Sequence, residues 1–168
     1  LVIGASGLVG GNIYRHLKKN ENLNVLGTYN SFEIKDLVQL DSEISLDKWS
    51  HQIISFKCDV LIFCAGLTNV EKCEIDEELS YRRNIISFEN TLLFSKKQKA
   101  RFVYISTDYV FDGENGPYKE NDKKNPISIY GKHKSLAEDI LIKSEIQYLI
   151  LRITNVYGKE AQKKNFIK

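Results

Sequence analysis

Residues 1–17 read LVIGASGLVGGNIYRHL, and the fold turns on how this stretch is divided. Leu1 to Ile3 is a short apolar run that stops at Gly4. Beyond it Leu8, Ile13, Tyr14 and Leu17 recur at helical spacing, so the stretch reads as strand, glycine turn, helix. The turn itself is Gly4-Ala5-Ser6-Gly7-Leu8-Val9-Gly10, a GxxGxxG spacing. Glycine there permits a tight turn, lets backbone N–H groups approach a pyrophosphate, and places the anion at a helix N-terminus where the dipole favours it. Three glycines in a loop are often just a turn, but their place between a first strand and a first helix points to dinucleotide binding. Gly4, Ser6, Gly7, Leu8 and Gly10 are then the expected contacts.

Working outward, NVLGTY (24–29) and DLVQLD (36–41) read as strands. Residues 43–57 place Ile44, Leu46, Trp49, Ile53, Ile54 and Phe56 on a helical pattern. VLIFCAG (60–66) is a nearly continuous apolar run, the signature of a strand buried on both faces. From Asp76 to Lys99 the pattern is helical, with Leu79, Ile85, Ile86, Phe88, Leu92, Leu93 and Phe94 inward. RFVYIS (101–106) is a strand, a helix follows from about Ile129 to Ser144, and YLILRI (148–153) is a last strand. Strands alternating with helices require crossover connections, so the expected class is α/β, one doubly wound domain over 1–168 with a mostly parallel sheet. Ligands of such sheets bind outside the carboxyl ends of the strands.

The composition of the 168 residues is that of an ordinary globular protein, 42% hydrophobic and 27% charged. Its 24 basic and 22 acidic residues are mixed along the chain, which builds no field for nucleic acid or an anionic membrane. No apolar run reaches the ~18 residues of a membrane span. Cys58, Cys64 and Cys73 are odd in number and lack a CxxC spacing, so we expect reduced cysteines in a cytoplasmic setting and no metal site. The chain begins at Leu1 inside an apolar run and stops at NFIK, which reads as a piece of a longer protein.

Several strand ends carry candidate chemistry. Gly27-Thr28-Tyr29-Asn30 offers no carboxylate for ribose hydroxyls and no Arg for a 2′-phosphate, although Lys35 is near in sequence. That balance leans to NADP, with NAD possible. Asp41 is placed to hydrogen-bond an adenine amino group or to cap a helix, and both readings stand. Ala65-Gly66 gives a flat cofactor room to lie on backbone. Thr107, with Ser106 as its nearest substitute, reaches the same sheet edge 23 residues before Tyr130, and Lys134 follows Tyr130 by one helical turn. Such a set suits carbonyl reduction: Tyr130 as general acid, Lys134 lowering the phenol pKa and holding the ribose, and Thr107 hydrogen-bonding the carbonyl oxygen.

The strings GASGLVGG, DVLIFCAGLTNVEKCE, YISTDYVFDG, GPYKENDKKNPISIYGKHKSLAE and LRITNVYG, in this order, resemble the extended short-chain dehydrogenase/reductase family, and within it the dTDP-4-dehydrorhamnose reductases. The resemblance implies an NAD(P)-binding Rossmann fold with the C-terminal substrate region absent or truncated. It implies Thr107, Tyr130 and Lys134 as the catalytic set, and a cofactor site that includes Gly4, Gly7, Gly10, Asp41, Ala65, Gly66, Thr68, Tyr130 and Lys134. The implied reaction is NAD(P)H-dependent reduction of a 4-keto nucleotide sugar, dTDP-4-dehydrorhamnose to dTDP-L-rhamnose, for polysaccharide biosynthesis. A nucleotide-sugar epimerase or dehydratase is an alternative; so is an NADP-binding regulatory subunit resembling the beta subunit of methionine adenosyltransferase. The implied partner is the nucleotide sugar, with a homodimer allowed. Asn84 matches the family's Asn, in a structural role or in support of a proton relay, and Arg152 is expected to stabilise the sheet end. The chain departs from the pattern at Gly66, where many relatives have Ala, and at Asn69 and Glu71.

Overall fold

A computed structural model describes residues 1–159 and residue 162. Its strands are β1 (Val2–Ile3), β2 (Thr28–Tyr29), β3 (Val38–Gln39), β4 (Val60–Phe63), β5 (Arg101–Thr107) and β6 (Tyr148–Ile153). Its α-helices are α1 (Leu8–Leu17), α2 (His51–Ile54), α3 (Val70–Ile75), α4 (Glu77–Tyr81), α5 (Ser87–Gln98) and α6 (Ile129–Ile142). Every strand pairing is parallel. One sheet runs β1-β4-β5-β6, and the short β2-β3 pair joins it through the bridge Val2↔Gly27, which gives the spatial order 3-2-1-4-5-6. This is the doubly wound NAD(P)-binding arrangement, with its switch point at β1 and β4.

The strands form where the apolar runs predicted them, though β2 and β3 keep only two paired residues each within the longer stretches 24–29 and 36–41. The core is aromatic. Phe63 on β4, Phe88 on α5, and Phe102 and Tyr104 on β5 are all within 1% of full burial. Phe88 lies 4.9 Å from Tyr104 and 5.4 Å from Phe102, in tilted and edge-on contacts that add to plain burial.

Two expectations need correction. Residues 43–57 do not form one helix: a 3-10 turn at Leu46–Lys48 and the four-residue α2 replace it, with Ile44 and Ile54 exposed. Trp49 explains the break, since its ring is buried against Phe94 and its Nε1 donates to the Ile44 carbonyl oxygen at 3.1 Å, which holds the backbone at Trp49 extended. The stretch 76–99 is helical but interrupted, with a π-helical segment at Arg82–Ile86 between α4 and α5. Leu93 accordingly faces solvent.

Helix α6 starts at Ser128, whose side chain accepts from Gly131 N–H at 3.0 Å. It buries the face that carries Tyr130, Lys134, Glu138 and Leu141, spaced by three or four residues. Glu138 is fully buried, and its carboxylate is matched atom by atom. Ser106 Oγ donates to Oε1 at 2.6 Å, and Arg152 donates to Oε1 at 3.0 Å and to Oε2 at 2.8 Å. Lys124 Nζ stands 3.3 Å from Oε2. Hydrogen bonds and the two cations hold the Glu138 carboxyl below its ordinary pKa despite burial. Arg152 also donates to the Glu120 carbonyl oxygen at 2.9 Å and lies over the Phe111 ring, so strand β6, helix α6 and the 108–128 loop are fastened together. The sheet-end role expected for Arg152 is thus taken with a partner that local sequence did not indicate.

Removing this carboxylate leaves Arg152 without its paired carboxylate and Lys124 with Asp139 alone. Glu138→Ala is expected to lower unfolding free energy by about 3–5 kcal/mol, read from urea denaturation.

Candidate functional site

The carboxyl ends of β1, β4, β5 and β6 open into a cleft of about 540 Å³. Its walls include Gly7, Leu8 and Gly10 from the glycine turn, Ala65, Gly66 and Thr68 after β4, Thr107 after β5, and Tyr130 and Lys134 from α6. A second cleft of about 310 Å³ shares Gly7, Ala65 and Gly66 and continues past Gly4 and Ser6 to Thr28, Asn30, Ser31 and Ser42. Residues predicted from four separate sequence stretches therefore meet around one elongated depression. Asp41 lines neither part and caps no helix, since the next helical turn begins at Leu46 with Ser45 as its cap: it is exposed, and its carboxylate accepts from Glu43 N–H at 3.0 Å in a local turn.

The glycine turn is built for an anion. Helix α1 begins at Gly7 with no side-chain cap and no acidic residue in its first turn, so its leading N–H groups are left for a ligand. A Cβ on Gly10 would stand 2.4 Å from the Gly4 carbonyl oxygen, so only glycine lets the helix start this close to the strand end. These features fit a dinucleotide laid across the switch point, with its pyrophosphate at the α1 terminus.

The floor after β4 is held by Asn84, which sits in the π-helical segment. Its Oδ1 accepts from Leu67 N–H at 2.9 Å, and its Nδ2 donates to the Leu67 carbonyl oxygen at 3.1 Å and to Ser80 Oγ at 3.2 Å. Ser80 Oγ in turn pairs with His133 Nδ1 at 2.8 Å, next to Lys134 in α6. π-helical turns recur at functional sites because they re-aim a side chain without ending the helix, and here the re-aimed group is an amide that clamps the cleft floor at Leu67. Gly66 makes room for it: φ is +145°, and a Cβ would lie 2.5 Å from Asn84 Oδ1.

Thr107 Oγ1 lies 3.1 Å from the Asp108 carboxylate and accepts from Tyr109 N–H at 3.2 Å. Ser106 donates its hydroxyl to Glu138 and is not free to substitute for Thr107. Tyr109, which the sequence reading did not single out, lines the cleft with its ring edge-on to Tyr130 at 5.8 Å. Lys134 Nζ donates to the Ile105 carbonyl oxygen at 2.6 Å and lies 4.1 Å from the Tyr104 ring centroid. Burial lowers the lysine to about 7, with Cys64 and Glu138 acting against the shift. Burial likewise pushes Tyr130 up to about 12, partly offset by the Thr107 hydrogen bond. The expectation that the lysine charge lowers the phenol is not met: Lys134 is not among the groups that shift Tyr130, and desolvation dominates both residues. Cys64, beside Lys134, is driven to about 12 by the same burial. All three cysteines are free. Among the described residues no cluster of three or more His, Cys, Asp or Glu is placed to hold a metal ion, and no helix is long and apolar enough to cross a membrane.

Two stability measurements test this account. Lys134 binds its proton less well folded, near 7, than unfolded, near 10.5, so the unfolded chain holds more protons between those values. Stability should therefore rise with pH above 7, by up to ~1.4 kcal/mol per unit from this group, and Lys134→Met should remove that slope in urea titrations between pH 7 and 9. Separately, Gly66→Ala should cost about 1–3 kcal/mol in thermal unfolding, and less in an Asn84→Ala background, where the crowded amide is gone.

The RmlD substrate binding domain model matches residues 1–168. A dTDP-4-dehydrorhamnose reductase of Aggregatibacter actinomycetemcomitans is 31% identical over 169 residues, covering 100% of this chain and 54% of that protein. The methionine adenosyltransferase 2 subunit beta of Xenopus tropicalis is 32% identical over 163 residues, covering 94% of this chain and 47% of that one. Among solved structures, a dTDP-4-dehydrorhamnose reductase from Bacillus anthracis in complex with NADP superposes with a TM-score of 0.80 at 30% identity, over 94% of this chain and 54% of its own. The chain thus spans about half the length of the curated relatives it matches. It belongs to the RmlD substrate binding domain family.

Proposed function

We propose that this member of the RmlD substrate binding domain family acts as an NAD(P)H-dependent reductase of a nucleotide-linked 4-keto sugar, with dTDP-4-dehydrorhamnose as the first substrate to test. The convergence of Thr107, Tyr130 and Lys134 on one cleft opposite the bare α1 terminus carries the reading. The glycine turn would hold the pyrophosphate, Ala65, Gly66 and Thr68 the central cofactor, and Tyr130 and Lys134 the nicotinamide ribose. When bound, the nicotinamide supplies a hydride to the carbonyl carbon. Tyr130, whose proton affinity near 12 keeps it a neutral phenol at physiological pH, gives its proton to the developing alkoxide. Thr107, in hydrogen-bond contact with Tyr130, orients the carbonyl oxygen for that transfer. Lys134, titrating near 7, exchanges protons readily at neutral pH and restores the phenol. The balance is one hydride to carbon and one proton to oxygen, giving a secondary alcohol. A cytoplasmic setting and a homodimer belong to the same reading.

A second reading has a specific observation behind it: relatives named methionine adenosyltransferase 2 subunit beta match 94% of the chain. Under that reading the cleft binds NADP to stabilise a docking surface, and no substrate is turned over.

The decisive assay follows NADPH consumption with nucleotide-linked 4-keto sugars. Tyr130→Phe is expected to cut turnover by about 10²–10⁴-fold while NADPH binding persists. Saturable NADPH binding with no consumption by the unaltered protein on any 4-keto nucleotide sugar would favour the second reading.

A further inference from the structure

The loop after β2 supplies no cation for an adenosine 2′-phosphate, and the structure brings one from elsewhere. The second cleft is lined by Tyr29, Asn30 and Ser31 on one side and by Arg83 and Ser87 on the other. Among the described residues, Arg83 is the only charged one that lines it, and no carboxylate does. The residue comes from the π-helical segment after β4, where the widened turn re-aims consecutive side chains. Next to it, Asn84 points inward to the cofactor floor.

Arg83 is pre-oriented. Its Nη1 pairs with Glu43 Oε1 at 2.8 Å, and Glu43 also takes Arg82 Nε at 3.4 Å. Glu43 is therefore divided between two guanidinium groups, while Arg82 is further occupied by Glu78 at 2.9 Å. Glu43 sits on the loop after β3, which Asn90 of α5 ties down by donating to the carbonyl oxygens of Ser42 at 3.0 Å and Ile44 at 3.2 Å. Beneath it, Ser42 and Ser87 share a buried hydroxyl contact of 2.5 Å. The guanidinium is thus ion-paired through one terminal nitrogen, without a hydrogen bond to Glu43 Oε1, beside a tied-down loop, with donors to spare and 41% of the side chain open.

We infer that Arg83 is a cofactor-specificity residue that recognises the 2′-phosphate of NADPH across the second cleft. This rests on the dinucleotide reading of the preceding subsection and deepens it. A planar, always-charged fork suits a phosphate better than a lysine does, and Asn30 and Ser31 supply neutral donors on the opposite lip. NADH, with a free 2′-hydroxyl, would lose the charged contact and keep every other.

The test is a fluorescence titration of the protein with NADPH and with NADH, in the unaltered form, in Arg83→Gln and in Glu43→Gln, with circular dichroism confirming the fold of each. Arg83→Gln should weaken NADPH by about tenfold or more and leave NADH nearly unchanged, the size of a lost charge-assisted hydrogen bond. Glu43→Gln, which keeps the guanidinium and removes its competing carboxylate, should raise the NADPH preference. Equal weakening of both cofactors by Arg83→Gln would overturn the inference and make the arginine a cover for the adenine that both share. An unchanged ratio in Arg83→Gln, or a reduced NADPH preference in Glu43→Gln, would also overturn it. Failure of the folded, unaltered protein to bind either cofactor would remove the dinucleotide reading itself, which the single-cofactor outcomes leave standing.

Discussion

The buried carboxylate of Glu138 sets the geometry of the cleft wall formed by β5, β6 and α6. An isolated charge in a protein interior is too costly to keep, so its partners must be held in place wherever the chain has put them. Here the partners are Ser106 at the end of β5, Arg152 on β6 and Lys124 in the loop before α6, three segments far apart in sequence. Ser106 precedes Thr107, and Glu138 lies one turn after Lys134, so satisfying the carboxylate also sets the spacing between the strand end and the helix face. The position of the Thr107 hydroxyl relative to the Tyr130 phenol is a by-product of that charge balance.

Burial plays a second part a few ångströms away. Tyr130 and Lys134 are both desolvated, and the consequence is opposite for an acid that ionises to an anion and a base that protonates to a cation. The phenol holds its proton more tightly than a free one, and the ammonium holds its proton less tightly. Two residues one helical turn apart are thus shifted in opposite directions by one environment.

Much of this was legible in the sequence, for a local reason. The glycine turn, the apolar run 60–63 and the helix around Tyr130 are set by neighbours within a few residues, and the strand-turn-helix alternation follows from them. Tyr130 and Lys134 could be paired because helical periodicity puts residues four apart on one face. What escaped was non-local. Trp49 broke the helix expected at 43–57 because it packs on Phe94, forty-five residues on. The π-helical segment has no signature in RRNII, since the bulge arises where Asn84 must reach Leu67. Arg83 carries no local mark of a cleft residue, because it reaches the cleft from the π-helical segment after β4 and not from the loop after β2.

The attachment of β2 and β3 has a consequence for motion. These two-residue strands join the main sheet through one bridge and the bonds from Val2 N–H to Leu26 and from Ala5 N–H to Thr28. The β5-β6 ladder, by contrast, pairs six residues. Amide hydrogens in the outer pair should therefore exchange through local openings of low free energy, while those of β4, β5 and α6 wait for events closer to global unfolding. The protein then divides into a stiff half around β4, β5 and α6 and a breathing half around β2 and β3, and a ligand bridging the two would slow exchange most in the half that has least protection of its own.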